Sequence, residues 1–156
     1  AVAARPGGVC VQVLYVRDGR VLGSKAWYPP LFGETGVADI LTEFLPSFYL
    51  QAGEGRDLPR EIITPVELPE GELLAAAIRT QHGREVELKS RVRETRAAWL
   101  DMAQNNAEAG LAAHLANRGQ IAQRFADLQA VLTLRANEGH VEQARAALLR
   151  VAALPK

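Results

Sequence analysis

The chain has 156 residues, enough for one domain with its own core and a helical extension but short of a second full domain. Lys plus Arg (18) balances Asp plus Glu (18), so no global positive field marks a nucleic-acid binder, and any such contact must use a local patch. The single cysteine, Cys10, excludes an intramolecular disulfide and a multi-cysteine zinc site; with no apolar run near the ~20 residues of a membrane span, the expectation is a cytoplasmic protein with no membrane partner.

The opening "AVAARPGG" lacks the apolar core of a secretory signal and reads as a cut inside a longer chain. Residues 9–16 and 20–28 then flank Asp18-Gly19, the dipeptide that best tolerates the positive φ angles of a type I′ turn, and predict a β-hairpin. That turn pairs Val16 with Val21, Leu14 with Gly23 and Cys10 with Trp27, and sets Gln12 opposite Lys25. Val9, Val11, Val13 and Tyr15 line one face and Cys10, Leu14 and Val16 the other, so both faces are expected to be covered.

After the loop "YPPLFGETG", Val37, Ile40, Leu41, Phe44, Leu45 and Phe48 recur at helical spacing, with Pro46 expected to kink the helix or split off its last turn. "QAGEGRDLPR" is a second loop. "EIITPVEL" reads as a short strand that Pro65 confines to an edge or an exit. Pro69 suits the first position of a helix carrying Glu70 and Glu72 in its first turn and Gly83 at its end. "REVELK" alternates charged and apolar residues as a half-buried strand does.

From about Arg93 the pattern is helical. Trp99, Met102 and Asn106 form one stripe, and Leu100, Ala103, Ala107 and Leu111 form the next. Asn117 and Gly119 are expected to break it, with Ile121, Phe125, Leu128 and Leu132 on a further helix and Val141, Ala144, Leu148 and Val151 on a last one. The fold class is therefore α+β: an N-terminal hairpin and short strands forming a small sheet packed with helices, followed by a helical C-terminal half.

Catalytic chemistry finds little foothold. Asp18 could serve as a metal-binding carboxylate after a strand, because RNase H-like nucleases place an aspartate on their first strand, but turn geometry explains it fully. Glu85 and Glu87 share a strand face without a third carboxylate nearby, which favours a solvated face over a cation site. His82, His114 and His140 have no metal-binding spacing, and His82 beside Gly83 reads as a helix-end residue. Cys10 inside a strand reads as an inert buried thiol. No glycine-rich phosphate loop or serine elbow is present, so no catalytic residue and no metal ligand is assigned.

Charge is distributed unevenly. Residues 51–72 hold six acidic and two basic residues, whereas 89–96 hold four basic and one acidic. Lys89, Arg91, Arg93 and Arg96 sit where the last strand enters the long helix, a place suited to phosphate contact; the competing reading is a solvated charged face.

Three segments in register resemble the UvrC family, a component of the bacterial excinuclease ABC: "CVQVLYVRDGRVLGSKAWYP", then "EFLPSFYLQ" with "LPREIITP", then "RAAWLDMAQNNA" with its Asn106-Ala107 pair. The likeness runs from Ala1 to about Leu134, which sets a domain at 1–134 preceding the family's RNase H-like core and leaves 135–156 as an unassigned C-terminal helix. Where the family has Pro-Arg-Gly before the Asn-Ala helix, this chain has Val92-Arg93-Glu94, which keeps Arg93 and changes the turn. The resemblance implies a part of a nucleotide-excision-repair endonuclease subunit active in the SOS response to DNA damage. Its partners would be DNA and UvrB through the parent protein, and the RNase H-like core of the same polypeptide. The motifs of the family's two nuclease centres do not occur here, so the resemblance implies a non-catalytic portion that supports the core and contacts DNA, with Mg2+ needed only by the parent's core. Against this stands a helical protein-interaction adaptor, because "NEGHVEQARAALLRVAALP" resembles half of a tetratricopeptide repeat; no second copy is seen at the ~34-residue period.

Overall fold

The computed structural model describes residues 1–30, 36–51, 58–137 and 147–149, with the backbone alone for 134–137. It divides into two compact units, Ala1–Ala113 and His114–Lys156. Its elements are β1 (Val2–Arg5), β2 (Gly8–Arg17), β3 (Arg20–Trp27), α1 (Val37–Leu50), β4 (Glu61–Ile63), α2 (Gly71–His82), β5 (Glu87–Lys89) and α3 (Glu94–Asn137). The α+β class is as expected, with two small sheets in place of one: β1-β2-β3 is antiparallel, and β4-β5 is a parallel pair.

Asp18 (φ 50) and Gly19 (φ 73) both take the left-handed region that a type I′ turn demands. Val16 pairs with Val21 as expected, but a bulge follows: Tyr15 pairs with Gly23, and Leu22 is the extra residue. Every pair further from the turn is displaced by one. Leu14 meets Ser24, not Gly23; Gln12 meets Ala26, Val13 meets Lys25, and Trp27 meets Val11 rather than Cys10. The third strand, β1, is an addition to the expected hairpin. Its signal is Pro6-Gly7 between two short runs of small apolar residues, and Gly7 at φ 95 closes that turn.

The hairpin base is covered on both faces, as expected. Val2, Val9 and Val11 are buried in one cluster with Ile40, Leu41, Leu45 and Phe48 of α1, Ile62 of β4, and Leu74 and Ile78 of α2. Trp27 adds edge contacts to Phe44 and Phe48, at ring centroid distances of 5.7 and 5.1 Å. On the opposite face Cys10 is buried near α3: a Cβ on Gly110 would stand 3.8 Å from its Sγ. Tyr28 Oη donates to Gly110 O (3.2 Å) and Gln104 Nε2 to Val2 O (3.1 Å), which ties this part of α3 to the sheet. Of the two stripes read on α3, the second is the inner one: Ala103, Ala107 and Leu111 are buried, and Met102 is exposed.

Helix boundaries depart from expectation in three places. Helix α1 runs unbroken through Pro46 to Leu50, so its last turn is not split off: one missing hydrogen bond is outweighed by burial of Phe48 and Tyr49 beyond it. Pro69 precedes the N-cap Glu70 instead of occupying the first helical position. Helix α3 passes through Asn117 and Gly119 without a break, since each costs at most about 1 kcal/mol relative to Ala and the flanking residues are strong helix formers. Gly83 (φ 67) ends α2 as expected, its N–H donating to Arg79 O at 2.8 Å. In the second unit Ile121 and Phe125 are exposed, and residues 147–149 are helical. Val141, Ala144 and Val151 of the expected last helix lie outside the described residues.

Candidate functional site

The parallel ladder of β4 and β5 sets Glu61 beside Glu87, Ile62 beside Leu88 and Ile63 beside Lys89. Alternation sends Ile62 into the core and leaves Glu61, Glu87 and Lys89 together on the other side. Two adjacent glutamates on one face repel, and a cation between them relieves this. Lys89 Nζ lies 2.8 Å from Glu61 Oε1 and 2.7 Å from Glu87 Oε2. Arg96, from the first turn of α3, adds a two-point contact: Nε donates to Glu61 Oε2 (2.8 Å) and Nη2 to Oε1 (3.0 Å). Hydrogen bonds from Arg96 first and Lys89 second hold the Glu61 carboxyl down at about 2, and Glu61 in turn pushes both cations up.

The other members of the basic cluster face water. Arg91 Nη2 reaches exposed Glu67 at 3.3 Å. Arg93 is exposed and, among the described residues, has no carboxylate paired with it. Structure thus gathers all four sequence-predicted cations around the β5–α3 junction and brings Glu61, Glu67 and Glu87 to them. The sequence signal for this is the acidic stretch 51–72, whose charge complements that of 89–96. Glu94, where α3 begins, adopts φ 52, in the left-handed region.

The remaining candidates have structural roles. Asp18 is a turn residue. Glu85 pairs with Arg79 (3.1 Å) and Glu87 with Lys89, so the two do not form a joint ligand set. His82 Nε2 lies 3.0 Å from Tyr49 O, and Gln81 Nε2 donates to Leu50 O at 2.7 Å; α2 therefore supplies partners for the terminal carbonyls of α1, a role beyond ending its own helix. Burial pushes the Cys10 thiol up, as an inert thiol requires. His114 lies half-buried on α3, and His140 falls outside the described residues. A groove between α1 and α2 is lined mainly by apolar residues, Pro46, Leu50, Leu68, Leu73 and Leu74 among them; its polar side chains are Glu70 and Thr42, whose hydroxyl donates to Ala38 O at 2.8 Å. Among the described residues no three His, Cys, Asp or Glu side chains are grouped to hold a metal ion, and no helix is long and apolar enough to cross a membrane.

Residues 1–114 match the family described as UvrC Ribonuclease H-like domain, a span that ends beside the boundary of the first compact unit. The chain belongs to the UvrC family. It is 46% identical over 134 residues to the UvrABC system protein C of Pseudomonas protegens and to that of Pseudomonas aeruginosa strain PAO1, and 44% identical to that of Pseudomonas entomophila. Each alignment takes in 86% of this chain and 22% of the relative, so the chain spans about a fifth of the length of these UvrC proteins. No solved structure matches it.

Proposed function

We propose that this chain is a non-catalytic portion of a UvrC-type endonuclease subunit of nucleotide excision repair, acting in the cytoplasmic response to DNA damage. It supports the nuclease core of the same polypeptide, precedes that core in the chain, and meets DNA and UvrB as part of the whole protein. Any Mg2+ belongs to that core. The observation that carries this reading is the engagement of Glu61. A carboxylate on a strand of an RNase H-like domain is positioned for metal chemistry only if it is free to turn toward an ion. Here it is fastened to Arg96 and Lys89, and serves as a strut between β4, β5 and the start of α3. With Lys89 and Arg96 committed to Glu61, phosphate contact at this junction narrows to Arg91 and Arg93.

The test is incubation of the chain with lesion-bearing duplex, UvrA, UvrB and magnesium. The DNA is expected to remain intact. Incision that copurifies with the chain and disappears in Glu61→Gln would overturn the proposal.

A further inference from the structure

The bulge at Leu22 does more than bend β3. With unbroken register Lys25 would lie opposite Gln12 and Trp27 opposite Cys10, on the face that meets α3. The extra residue instead brings Lys25 opposite Val13, Gly23 opposite Tyr15 and Trp27 opposite Val11, all on the other face. Arg17 and Arg20, paired next to the turn, continue the same face at the hairpin's end. Outward from the core, this face therefore presents Trp27, Lys25, Tyr15 and then the Arg17–Arg20 pair, so that aromatic rings and cations alternate along it.

Three observations set this ladder apart from an ordinary solvated surface. Tyr15 is a large ring left 41% exposed, and its cross-strand partner Gly23 has no side chain to cover it. Arg17 and Arg20 are like charges directly opposite each other, an arrangement that costs stability in a sheet. Lys25 Nζ stands 5.0 Å from the Trp27 ring centroid, a cation–π contact that keeps the ammonium on this face. The charge is also local. Residues 1–28 contain Arg5, Arg17, Arg20 and Lys25 against Asp18 alone, four basic to one acidic, in a chain whose total is zero. At the β5–α3 junction Lys89, Arg91 and Arg96 are paired with Glu61, Glu67 and Glu87.

We propose that the Tyr15, Arg17, Arg20 and Lys25 face of the β2–β3 hairpin is a contact surface for a strand of DNA, whose phosphates meet the three cations while an unpaired base stacks on the Tyr15 ring. A row of cations interleaved with an open aromatic ring is the combination that binds single strands without reading sequence. An acidic polypeptide would satisfy the cations and leave the ring unused. The proposal rests on the DNA-repair reading above and assigns its DNA contact to a second place on the domain.

The experiment is fluorescence anisotropy of a labelled oligothymidine about 20 nucleotides long, titrated with the full chain across a salt series. Four variants are compared with the unaltered chain: Arg17→Gln/Arg20→Gln/Lys25→Gln, Tyr15→Ala, Tyr15→Phe, and Arg91→Gln/Arg93→Gln. All positions are exposed, and matching circular dichroism melts confirm folding. The triple variant should bind more weakly and flatten the log–log salt slope by about 2, the value for three phosphates on a single strand. Tyr15→Ala should lose about 5-fold or more in affinity, with Tyr15→Phe unchanged, because stacking needs the ring and not the hydroxyl. Loss confined to Arg91→Gln/Arg93→Gln would overturn the hairpin proposal and leave the DNA-repair reading standing. Equal competition by polyglutamate at matched charge would also overturn it, in favour of a general anion surface. No binding by the unaltered chain at low salt would overturn the hairpin proposal and remove DNA contact from the broader reading as well.

Discussion

Glu94 offers a test in which the sign of the result, not merely its size, separates two views of how α3 begins. At φ 52 its backbone is left-handed, a region that costs an L side chain roughly 1–2 kcal/mol relative to glycine. In the resemblance read from the sequence, the family's Pro-Arg-Gly stands where this chain has Val92-Arg93-Glu94, which implies a glycine at the position that takes this conformation here. Replacing Glu94 also removes an acidic group from a helix N-terminus, worth about 0.3–1 kcal/mol. For that reason the informative comparison is between Glu94→Gly and Glu94→Ala, both of which remove the charge. Glycine in the unfolded chain is more disordered than alanine by about 0.4–1 kcal/mol, which offsets part of the strain. The net expectation is that Glu94→Gly is more stable than Glu94→Ala by roughly 0.5–1 kcal/mol, or about 2–4 °C per kcal/mol at this size. Urea unfolding followed at 222 nm measures it, as a shift in midpoint at unchanged slope. If Glu94 were an ordinary helical residue, alanine would win by about 1 kcal/mol. Glu94→Ala equal to or more stable than Glu94→Gly would therefore refute the left-handed start.

Glu61, held at about 2 against an ordinary 4.5, gives stability that is complete above about pH 5 and lost as pH falls toward 2. Glu61→Gln should cost on the order of 1 kcal/mol at neutral pH, a gap that closes through that window in a pH series of unfolding curves; a gap constant with pH would contradict the strut. Leu111→Ala, at a fully buried position, should destabilise by about 2–5 kcal/mol, whereas Ile121→Ala on the same helix, 46% exposed, should stay within about 0.5 kcal/mol by thermal melt. Gly19→Val should lose about 1 kcal/mol or more on backbone grounds alone, since no atom lies within 4 Å of the added Cβ, while Asp18→Asn should be near neutral; metal or DNA binding lost in Asp18→Asn without a stability change would overturn the turn reading.

The elements that the sequence disclosed are those in which local chemistry and burial point the same way. Asp18-Gly19 specifies the hairpin because its turn type admits few other residues, and the Val37–Phe48 spacing marks α1 because the buried stripe spans three turns. The misses follow from forces that act between segments. The bulge at Leu22 has no local signature beyond Gly23, and is visible only when two strands are paired. Asn117 and Gly119 look like breaks one residue at a time, but a helix is cooperative over its length and tolerates two weak formers. Strand β1 escapes notice because Val2-Ala3-Ala4 is too short to show a period, though it gains a partner once β2 exists.

The same distinction governs the candidate site. Counting charges along the chain locates a basic cluster at residues 89–96, and that much was legible. Its electrostatic meaning was not, because a parallel strand pair is formed by segments separated by a helix. Only the Glu61–Glu87 register shows that the cluster is built around its own counter-ions. Conversely, Arg17, Arg20 and Lys25 are spread over nine residues around a turn and attract no notice as a run. The hairpin stacks them beside an uncovered Tyr15 with one acidic residue nearby. Linear density of charge and surface density of charge thus point to different places on this domain. A phosphate backbone responds to the second, since what it meets is the potential outside the folded surface and not the order of residues that produced it.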